Sequence, residues 1–88
     1  MTKPKLFVKQ GCPWCIEALE YFKTKAVDFE IIDVRTEPAR MPELMEASGQ
    51  SKTPTLQNGD FVVADFDIEE FETAMVKNPQ EANKLGLA

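Results

Sequence analysis

The chain has 88 residues, 15 acidic and 10 basic side chains, a formal net charge of −5 and only two cysteines. This length suffices for one compact domain, so residues 1–88 are expected to form a single domain. The acidic balance argues against a nucleic-acid partner, and the apolar run at residues 6–8 is too short for a signal peptide or membrane span. The sequence therefore predicts a cytoplasmic protein with no nucleic-acid or membrane partner.

The first third of the chain predicts a strand, a helix and a second strand. Residues 5–9 have the composition of a strand and end at Gln10-Gly11. A helix is expected next, because residues recur at helical spacing along one apolar stripe: Cys15, Ala18, Leu19, Phe22 and Ala26. Residues 29–34 are rich in β-branched and aromatic side chains and follow closely, which favours a crossover onto a parallel strand in a mixed sheet.

A second helix is expected in the middle of the chain. Its helical spacing is carried by Met41, Leu44, Met45 and Ser48. Gly49 is well placed to end this helix in the left-handed conformation. Pro42 would fall inside a helix that began at Pro38, so the segment is expected to begin with a separate turn.

The last third predicts a hairpin and a third helix. Asn58-Gly59 lies between two apolar runs, which is the strongest short hairpin signal. Residues 67–70 resemble a capping box that opens a helix, and Asn78-Pro79 ends it. Residues 78–88 are expected to form a weak helix or a loose tail.

The two cysteines stand in the segment Cys12-Pro13-Trp14-Cys15, directly before the first helix. A thiol at a helix N-terminus faces unsatisfied backbone N–H groups and the positive end of the helix dipole, which favour the reactive thiolate. Cys12 is therefore the candidate nucleophile. Pro13 suits the first helical position, and Cys15 lies one turn inward on the buried stripe.

The cysteine pair has three alternative roles. A zinc site is disfavoured because the chain has no histidine and no third cysteine, so no metal ligand is assigned. A purely structural disulfide would close a very short loop and would remove little chain entropy from the unfolded state. Two unconnected buried cysteines remain an open alternative, since free cysteine is often a small apolar core residue.

The order β-α-β-α-β-β-α, with Cys-x-x-Cys at the start of the first helix, resembles the thioredoxin fold. Residues 9–15 resemble the active-site stretch of the glutaredoxin family, and Thr53-Pro54 resembles its threonine-valine-proline element. The resemblance covers residues 5 to about 77. It implies an α/β fold in which a four-stranded mixed sheet is flanked by three helices.

The resemblance also implies where glutathione would bind. It implies a cis bond between Thr53 and Pro54, with the main chain of Thr53 facing the cleft and pairing with the cysteine portion of glutathione. Lys9 would favour the Cys12 thiolate or attract the glycyl carboxylate, although a lysine at a strand end is often merely solvated. Trp14 is expected to be exposed at the rim of the site.

The γ-glutamyl end of glutathione is assigned, by the same resemblance, to the start of the third helix. Phe66 and Asp67 would offer backbone N–H groups and Asp67 its carboxylate, while a plain helix cap is an equally compatible role for Asp67. Ala64 and Asp65 depart from the family pattern, because glutaredoxins usually carry two glycines there. They place a side chain and a negative charge where the backbone normally comes close to the ligand.

The resemblance implies a monomeric dithiol oxidoreductase that reduces protein disulfides and protein–glutathione mixed disulfides. Glutathione would be its co-substrate, with no tightly bound cofactor. One alternative is a glutaredoxin-like redoxin that a thioredoxin reductase reduces. Two others from different classes are a carrier whose iron–sulfur cluster is held by Cys12 and glutathione, and an inactive binding module that keeps the fold.

Overall fold

The fold was analysed in a computed structural model that describes residues 3–87; Met1, Thr2 and Ala88 of the expected domain lie outside the described residues. Its strands are β1 (Lys5–Val8), β2 (Glu30–Asp33), β3 (Thr55–Asn58) and β4 (Phe61–Val63). Its helices are α1 (Pro13–Thr24), α2 (Met41–Ser48), α3 (Ile68–Lys77) and α4 (Pro79–Lys84), and a 3₁₀ turn at Pro38–Arg40 precedes α2. The separate turn before the second helix is thus confirmed.

The four strands form one mixed sheet in the order β2-β1-β3-β4. Strand β1 pairs in parallel with β2, so that Leu6 lies opposite Ile31, and antiparallel with β3, so that Leu6 lies opposite Leu56. Strand β4 adds to the outer edge of β3 in the antiparallel sense. The expected crossover from β1 through α1 to a parallel β2 is confirmed.

The alternation of side chains along β1 divides the core between the two faces of the sheet. Leu6 and Val8 point to the face covered by α1, α3 and α4, while Phe7 points to the face covered by α2. On the first face, aromatic rings from α1, α3 and the loop before α3 pack edge to face, with ring centroids of Phe22 and Phe71 4.9 Å apart. This cluster joins α1, whose N-terminus carries the cysteine pair, to α3.

Of the two expectations for the end of the chain, a weak helix or a loose tail, the structure shows the helix. Residues 79–84 form helix α4, which buries Ala82 and Leu85 against the same core as α1 and α3. Asn78 ends α3, as expected, and its side-chain amide donates to the Ala74 carbonyl at 2.9 Å. Within residues 3–87, four helices rather than three therefore flank the sheet.

The hairpin between β3 and β4 is confirmed, with its loop shifted by one residue from the expected Asn58-Gly59. Asn58 pairs with Phe61, so the two loop residues are Gly59 and Asp60. Gly59 has a φ of 62° at the first loop position, a conformation that a two-residue hairpin loop demands and that glycine adopts without strain.

The prediction that Ala26 lies on the buried stripe of α1 is wrong. The helix ends at Thr24, and Ala26 is exposed with a φ of 57°, in the left-handed region. The Ala26 N–H donates to the Lys23 carbonyl at 3.2 Å and the Val27 N–H to the Phe22 carbonyl at 3.1 Å. These two bonds define a Schellman motif, which turns the chain out of the helix toward β2.

We predict that Ala26→Gly stabilises the protein. The left-handed region costs a non-glycine residue about 1–2 kcal/mol, and the greater freedom of glycine in the unfolded chain offsets about half of that gain. The expected net effect is about 0.5–1 kcal/mol, which corresponds to a rise in melting temperature of roughly 3–6 °C for a domain of this size.

Gly86 provides the matched control, because it occupies the equivalent position after α4 with a φ of 79°. A Cβ at Gly86 meets no atom within 4 Å, so Gly86→Ala tests backbone conformation alone. It should lower the melting temperature. A loss of stability in Ala26→Gly, measured by thermal and urea unfolding, would contradict the left-handed assignment.

Candidate active site

Cys12 lies at the N-cap of α1, as the sequence predicts. Its φ of −81° and ψ of 117° are extended, and Pro13 takes the first helical position. The Cys15 backbone N–H donates to the Cys12 Sγ at 3.3 Å. The cysteine sulfur thus occupies the place that a serine or aspartate oxygen takes in an ordinary cap.

Hydrogen bonds to Cys12 favour its ionised form. Partial burial opposes ionisation, but the side chain and backbone of Cys15, the Thr53 hydroxyl and the Trp14 backbone together hold the pKa of Cys12 below its ordinary value. Cys12 remains partly exposed. A partly exposed thiol with a lowered pKa is the form that attacks disulfides near neutral pH.

Cys15 has the opposite environment. Its side chain is 1% exposed and packs in the core with Ala18 and Phe22 of the same helix. Burial, together with the neighbouring Cys12 sulfur, raises the pKa of Cys15 to about 11. The two sulfurs of the pair are therefore chemically unequal: Cys12 is available as a thiolate, and Cys15 keeps its proton until it is needed.

Thr53 and Pro54 lie opposite the cysteine pair, and the peptide bond between them is cis, as the family resemblance implies. The Thr53 carbonyl oxygen lies 3.9 Å from the Cys12 Sγ, so this part of the main chain does face the cleft. The Thr53 hydroxyl was not expected to take part. It lies 3.2 Å from the Cys15 Sγ and 4.0 Å from the Cys12 Sγ.

Trp14, two residues after Cys12, lines a surface groove, and its side chain is 58% exposed, as predicted. The groove has a volume of about 340 Å³, and its other lining residues are Asp65, Phe66, Asp67 and Glu70. The floor and far wall thus come from the loop before α3 and from the first turn of that helix. Three of the five lining residues carry carboxylates.

The backbone N–H groups expected to meet the γ-glutamyl end of glutathione already have partners. The Phe66 N–H donates to the Pro54 carbonyl at 3.1 Å, and the Asp67 N–H donates to the Glu70 carboxylate at 3.0 Å. Asp67 accepts from the Glu70 N–H at 2.7 Å, which completes the capping box. Both N–H groups are therefore paired inside the protein, that of Phe66 with the main chain of Pro54 and that of Asp67 with the capping box of α3.

The departure from the family pattern at Ala64-Asp65 also has a local structural role. Asp65 has a φ of 52°, a conformation that aspartate tolerates better than most residues, and its N–H donates to the Thr55 hydroxyl at 3.2 Å. Its carboxylate lies 4.0 Å from the Lys52 ammonium. The charge that Asp65 brings to the groove is therefore partly balanced by Lys52.

Lys9 meets the site through its main chain. Its carbonyl accepts from the Cys12 N–H at 3.1 Å, and its ammonium is not among the groups that lower the pKa of Cys12. Arg35, which the sequence did not single out, donates from its guanidinium to the Gln10 carbonyl at 2.6 Å. Arg35 thereby brings a positive charge to the loop before Cys12; only the three-dimensional fold places it there, 25 residues away along the chain.

This arrangement defines a redox site of the thioredoxin-fold type. A partly exposed cysteine with a lowered pKa and a buried one with a raised pKa share the first turn of a helix. Within residues 3–87, no group of three His, Cys, Asp or Glu side chains is placed so that it could hold a metal ion. The chemistry that these residues support is exchange between thiols and disulfides.

Comparison with known proteins identifies the family to which this chain belongs. The sequence model of the glutaredoxin family matches residues 5–62, and the chain belongs to this family. A curated relative is an uncharacterized glutaredoxin-like 8.6 kDa protein in the rubredoxin operon of Clostridium pasteurianum. It is 27% identical over 73 residues, which cover 83% of this chain and 97% of the relative.

Solved structures support the same fold. A glutaredoxin from Archaeoglobus fulgidus matches with a TM-score of 0.69 and 26% identity, over 83% of this chain and 85% of that one. A mutant of a thioredoxin-like protein matches with a TM-score of 0.72 and 29% identity, over 86% and 97% of the two chains. Wheat glutaredoxin, at 21% identity, a TM-score of 0.68 and coverage of 99% and 82%, shares the fold. The protein is a glutaredoxin-like redox protein.

Among the described residues, none of the helices is long and apolar enough to cross a bilayer.

We predict two well-separated thiol ionisations in the reduced protein. Cys12 should ionise below the ordinary thiol range, because hydrogen bonds favour its thiolate, and Cys15 should ionise near 11. Thiolate absorbance at about 240 nm, followed across pH, measures the low step, and the pH dependence of the alkylation of Cys15 measures the high one. The low step should vanish in Cys12→Ser and persist in Cys15→Ser, which keeps the backbone N–H of residue 15. A low step that survived in Cys12→Ser would contradict the assignment.

Proposed function

We propose that this protein is a dithiol oxidoreductase that reduces protein disulfides and protein–glutathione mixed disulfides, with glutathione as the reductant. The observation that carries the proposal is the unequal cysteine pair: Cys12 at the N-cap with a lowered pKa, next to a buried Cys15 with a raised one. Membership of the glutaredoxin family supports the choice of glutathione. The proposal includes a monomer that works in the cytoplasm without a tightly bound cofactor.

The first step uses the Cys12 thiolate. It attacks one sulfur of the substrate disulfide, a Cys12–substrate disulfide forms, and the substrate S–S bond breaks. The other substrate sulfur leaves as a thiolate and takes a proton from water. The hydrogen bond from the Cys15 N–H to the Cys12 Sγ lowers the basicity of Cys12, so that the thiolate is present at neutral pH.

The second step releases the remaining half of the substrate. Cys15 gives up its proton to solvent and attacks the Cys12 sulfur, so that a Cys12–Cys15 disulfide forms and the second substrate thiol leaves. Alternatively, when Cys12 carries glutathione, a second glutathione attacks the glutathione sulfur, which frees Cys12 and forms glutathione disulfide. In the dithiol route the protein loses two electrons, and two glutathione molecules return them as they become glutathione disulfide.

Glutathione would lie across Thr53 and along the Trp14 groove. The Thr53 carbonyl is close enough to Cys12 to pair with the cysteine portion of the tripeptide, and Pro54 holds the neighbouring main chain through its bond to Phe66. Lys9, at the end of β1, remains our candidate for the glycyl carboxylate. Asp67 would act through its N–H only if the Glu70 carboxylate were displaced.

The decisive experiment compares two cysteine variants in the reduction of 2-hydroxyethyl disulfide, of a glutathionylated protein and of a protein disulfide. The assay supplies glutathione, glutathione reductase and NADPH. We expect Cys12→Ser to lose all activity, because the nucleophile is gone. Cys15→Ser should keep deglutathionylation, because a second glutathione resolves the mixed disulfide, but should lose the reduction of protein disulfides. Deglutathionylation at full rate by Cys12→Ser would refute the role of Cys12.

A second candidate is a redoxin of the same chemistry that a thioredoxin reductase reduces. It is favoured by the groove that Trp14 lines, where the N–H groups of Phe66 and Asp67 have internal partners and the carboxylates of Asp65 and Glu70 would face an anionic ligand. Because glutathione carries a net negative charge, these groups weaken its binding. Reduction by thioredoxin reductase and NADPH, without glutathione, distinguishes the two candidates.

We predict that Glu70→Ala improves the use of glutathione. Removal of this carboxylate frees the Asp67 N–H at the N-terminus of α3, where an incoming carboxylate is favoured. The Michaelis constant for glutathione should fall about fivefold, since a charged hydrogen bond is gained and a repulsion is lost. The loss of half of the capping box should lower the stability by about 1 kcal/mol.

Glu69→Ala is the matched control. It removes the same charge from the same turn of α3 but leaves the capping box of Asp67 and Glu70 intact. Its effect on the Michaelis constant should therefore stay below about twofold, and less in high salt. Equal effects of the two variants would show that net charge, and not the occupied N–H, limits the use of glutathione.

A further inference from the structure

The hydroxyl of Thr53 lies between the two sulfurs of the active site. Its Oγ1 is 3.2 Å from the Cys15 Sγ and 4.0 Å from the Cys12 Sγ. The residue itself is only 8% exposed, although it carries a polar side chain. A buried hydroxyl usually has hydrogen-bond partners. The candidate partners of the Thr53 hydroxyl are the two cysteine sulfurs.

The geometry of the two contacts orders them in one direction, from the Cys15 thiol to the Thr53 hydroxyl and from that hydroxyl to the Cys12 Sγ. Cys15 keeps its proton and has the Thr53 oxygen as its acceptor, so the hydroxyl accepts on that side. A hydroxyl has a single proton, which is then free to be donated to the Cys12 Sγ. A thiolate accepts such a bond more strongly than a thiol, so the chain from Cys15 through Thr53 to Cys12 is most favourable when only Cys12 is ionised.

We propose that Thr53 is a positioning residue whose hydroxyl bridges the Cys15 thiol and the Cys12 thiolate and thereby stabilises the reduced, singly ionised form of the pair. The inference rests on the proposed thiol–disulfide exchange at Cys12 and Cys15. It adds a role for a side chain that the sequence assigned to the site through its main chain alone. It does not depend on whether glutathione or a reductase supplies the electrons.

The bridge links this hydroxyl to the redox equilibrium of the protein. When the pair is oxidised, the two sulfurs bond to each other, two electrons pass to the oxidant, and the proton of Cys15 leaves. Neither half of the bridge survives, because the Cys15 thiol and the Cys12 thiolate no longer exist. The hydroxyl therefore stabilises the dithiol form relative to the disulfide form. The protein is a weaker reductant with this hydroxyl than without the hydroxyl.

Two matched pairs of variants isolate the hydroxyl from the packing of the side chain. Threonine and valine have nearly the same shape and differ in the hydroxyl, and serine and alanine form a smaller pair with the same difference. The purified full-length chain with Thr, Val, Ser or Ala at residue 53 is compared in two measurements that need no turnover. The first is the ionisation of Cys12, and the second is the equilibrium of the dithiol with a mixture of glutathione and glutathione disulfide.

Loss of the hydroxyl should move the ionisation of the Cys12 thiol to a higher pH. It should also shift the redox equilibrium of the protein toward the disulfide. One net hydrogen bond corresponds to about a fivefold change in each equilibrium constant. For a two-electron couple, fivefold equals about 20 mV, toward a more reducing potential. Thr53→Val and Thr53→Ala should both show these shifts relative to their hydroxyl partners, and Thr53→Ser should remain close to the unsubstituted protein.

The proposal is overturned if the members of each folded pair agree within about twofold in both measurements, or if Thr53→Ser behaves like Thr53→Val. Should Thr53→Val fail to fold, the Ser and Ala pair decides the question by the same readouts. A protein that shows the shifts but does not use glutathione in turnover would refute the proposed reductant and leave the bridge intact. A protein that turns over normally without the shifts would do the reverse.

Discussion

The hydrogen bond from the Cys15 N–H to the Cys12 Sγ joins the fold to the chemistry. At 3.3 Å, this contact caps helix α1 and stabilises negative charge on the nucleophile at the same time. It exists only because α1 begins at Pro13 and is held against the sheet by Ala18 and Phe22 further along the helix. The acidity of Cys12 is thus set by hydrogen bonds from the helix start, from the Cys15 side chain and from Thr53, and not by a charged neighbour.

The aromatic cluster on the same face of the sheet carries this anchoring to the rest of the site. Phe22 from α1 lies 4.9 Å from Phe71 of α3, and Phe71 lies 5.3 Å from Phe66 in the loop before α3, measured between ring centroids. Phe66 is 2% exposed, so its side chain serves the core while its main chain forms part of the groove. The nucleophile and the opposite wall of the groove are therefore parts of one packed unit.

The sequence predicts those features that depend on residues close together along the chain, such as the cap at Cys12 and the turn at Gly59. It fails where a local pattern competes with the path of the chain. Ala26 fits the helical stripe, yet the chain must leave the helix to reach β2, and the left-handed turn takes precedence. The sequence also does not predict the hydrogen-bond partners within the site, because these partners lie on other elements of the fold. The Phe66 N–H donates to the Pro54 carbonyl, and the Thr53 hydroxyl contacts Cys15, 38 residues away along the chain.

The difference in burial between the two cysteines also bears on oxidative damage. A peroxide can reach the partly exposed Cys12, whose thiolate it converts to a sulfenic acid, whereas Cys15 is buried. The Cys15 thiol lies on the same helical turn and can condense with that sulfenic acid to form a disulfide and water, before a second oxidant reaches the sulfur. The buried cysteine thus diverts Cys12 from irreversible sulfinic acid to a state that ordinary thiols can repair.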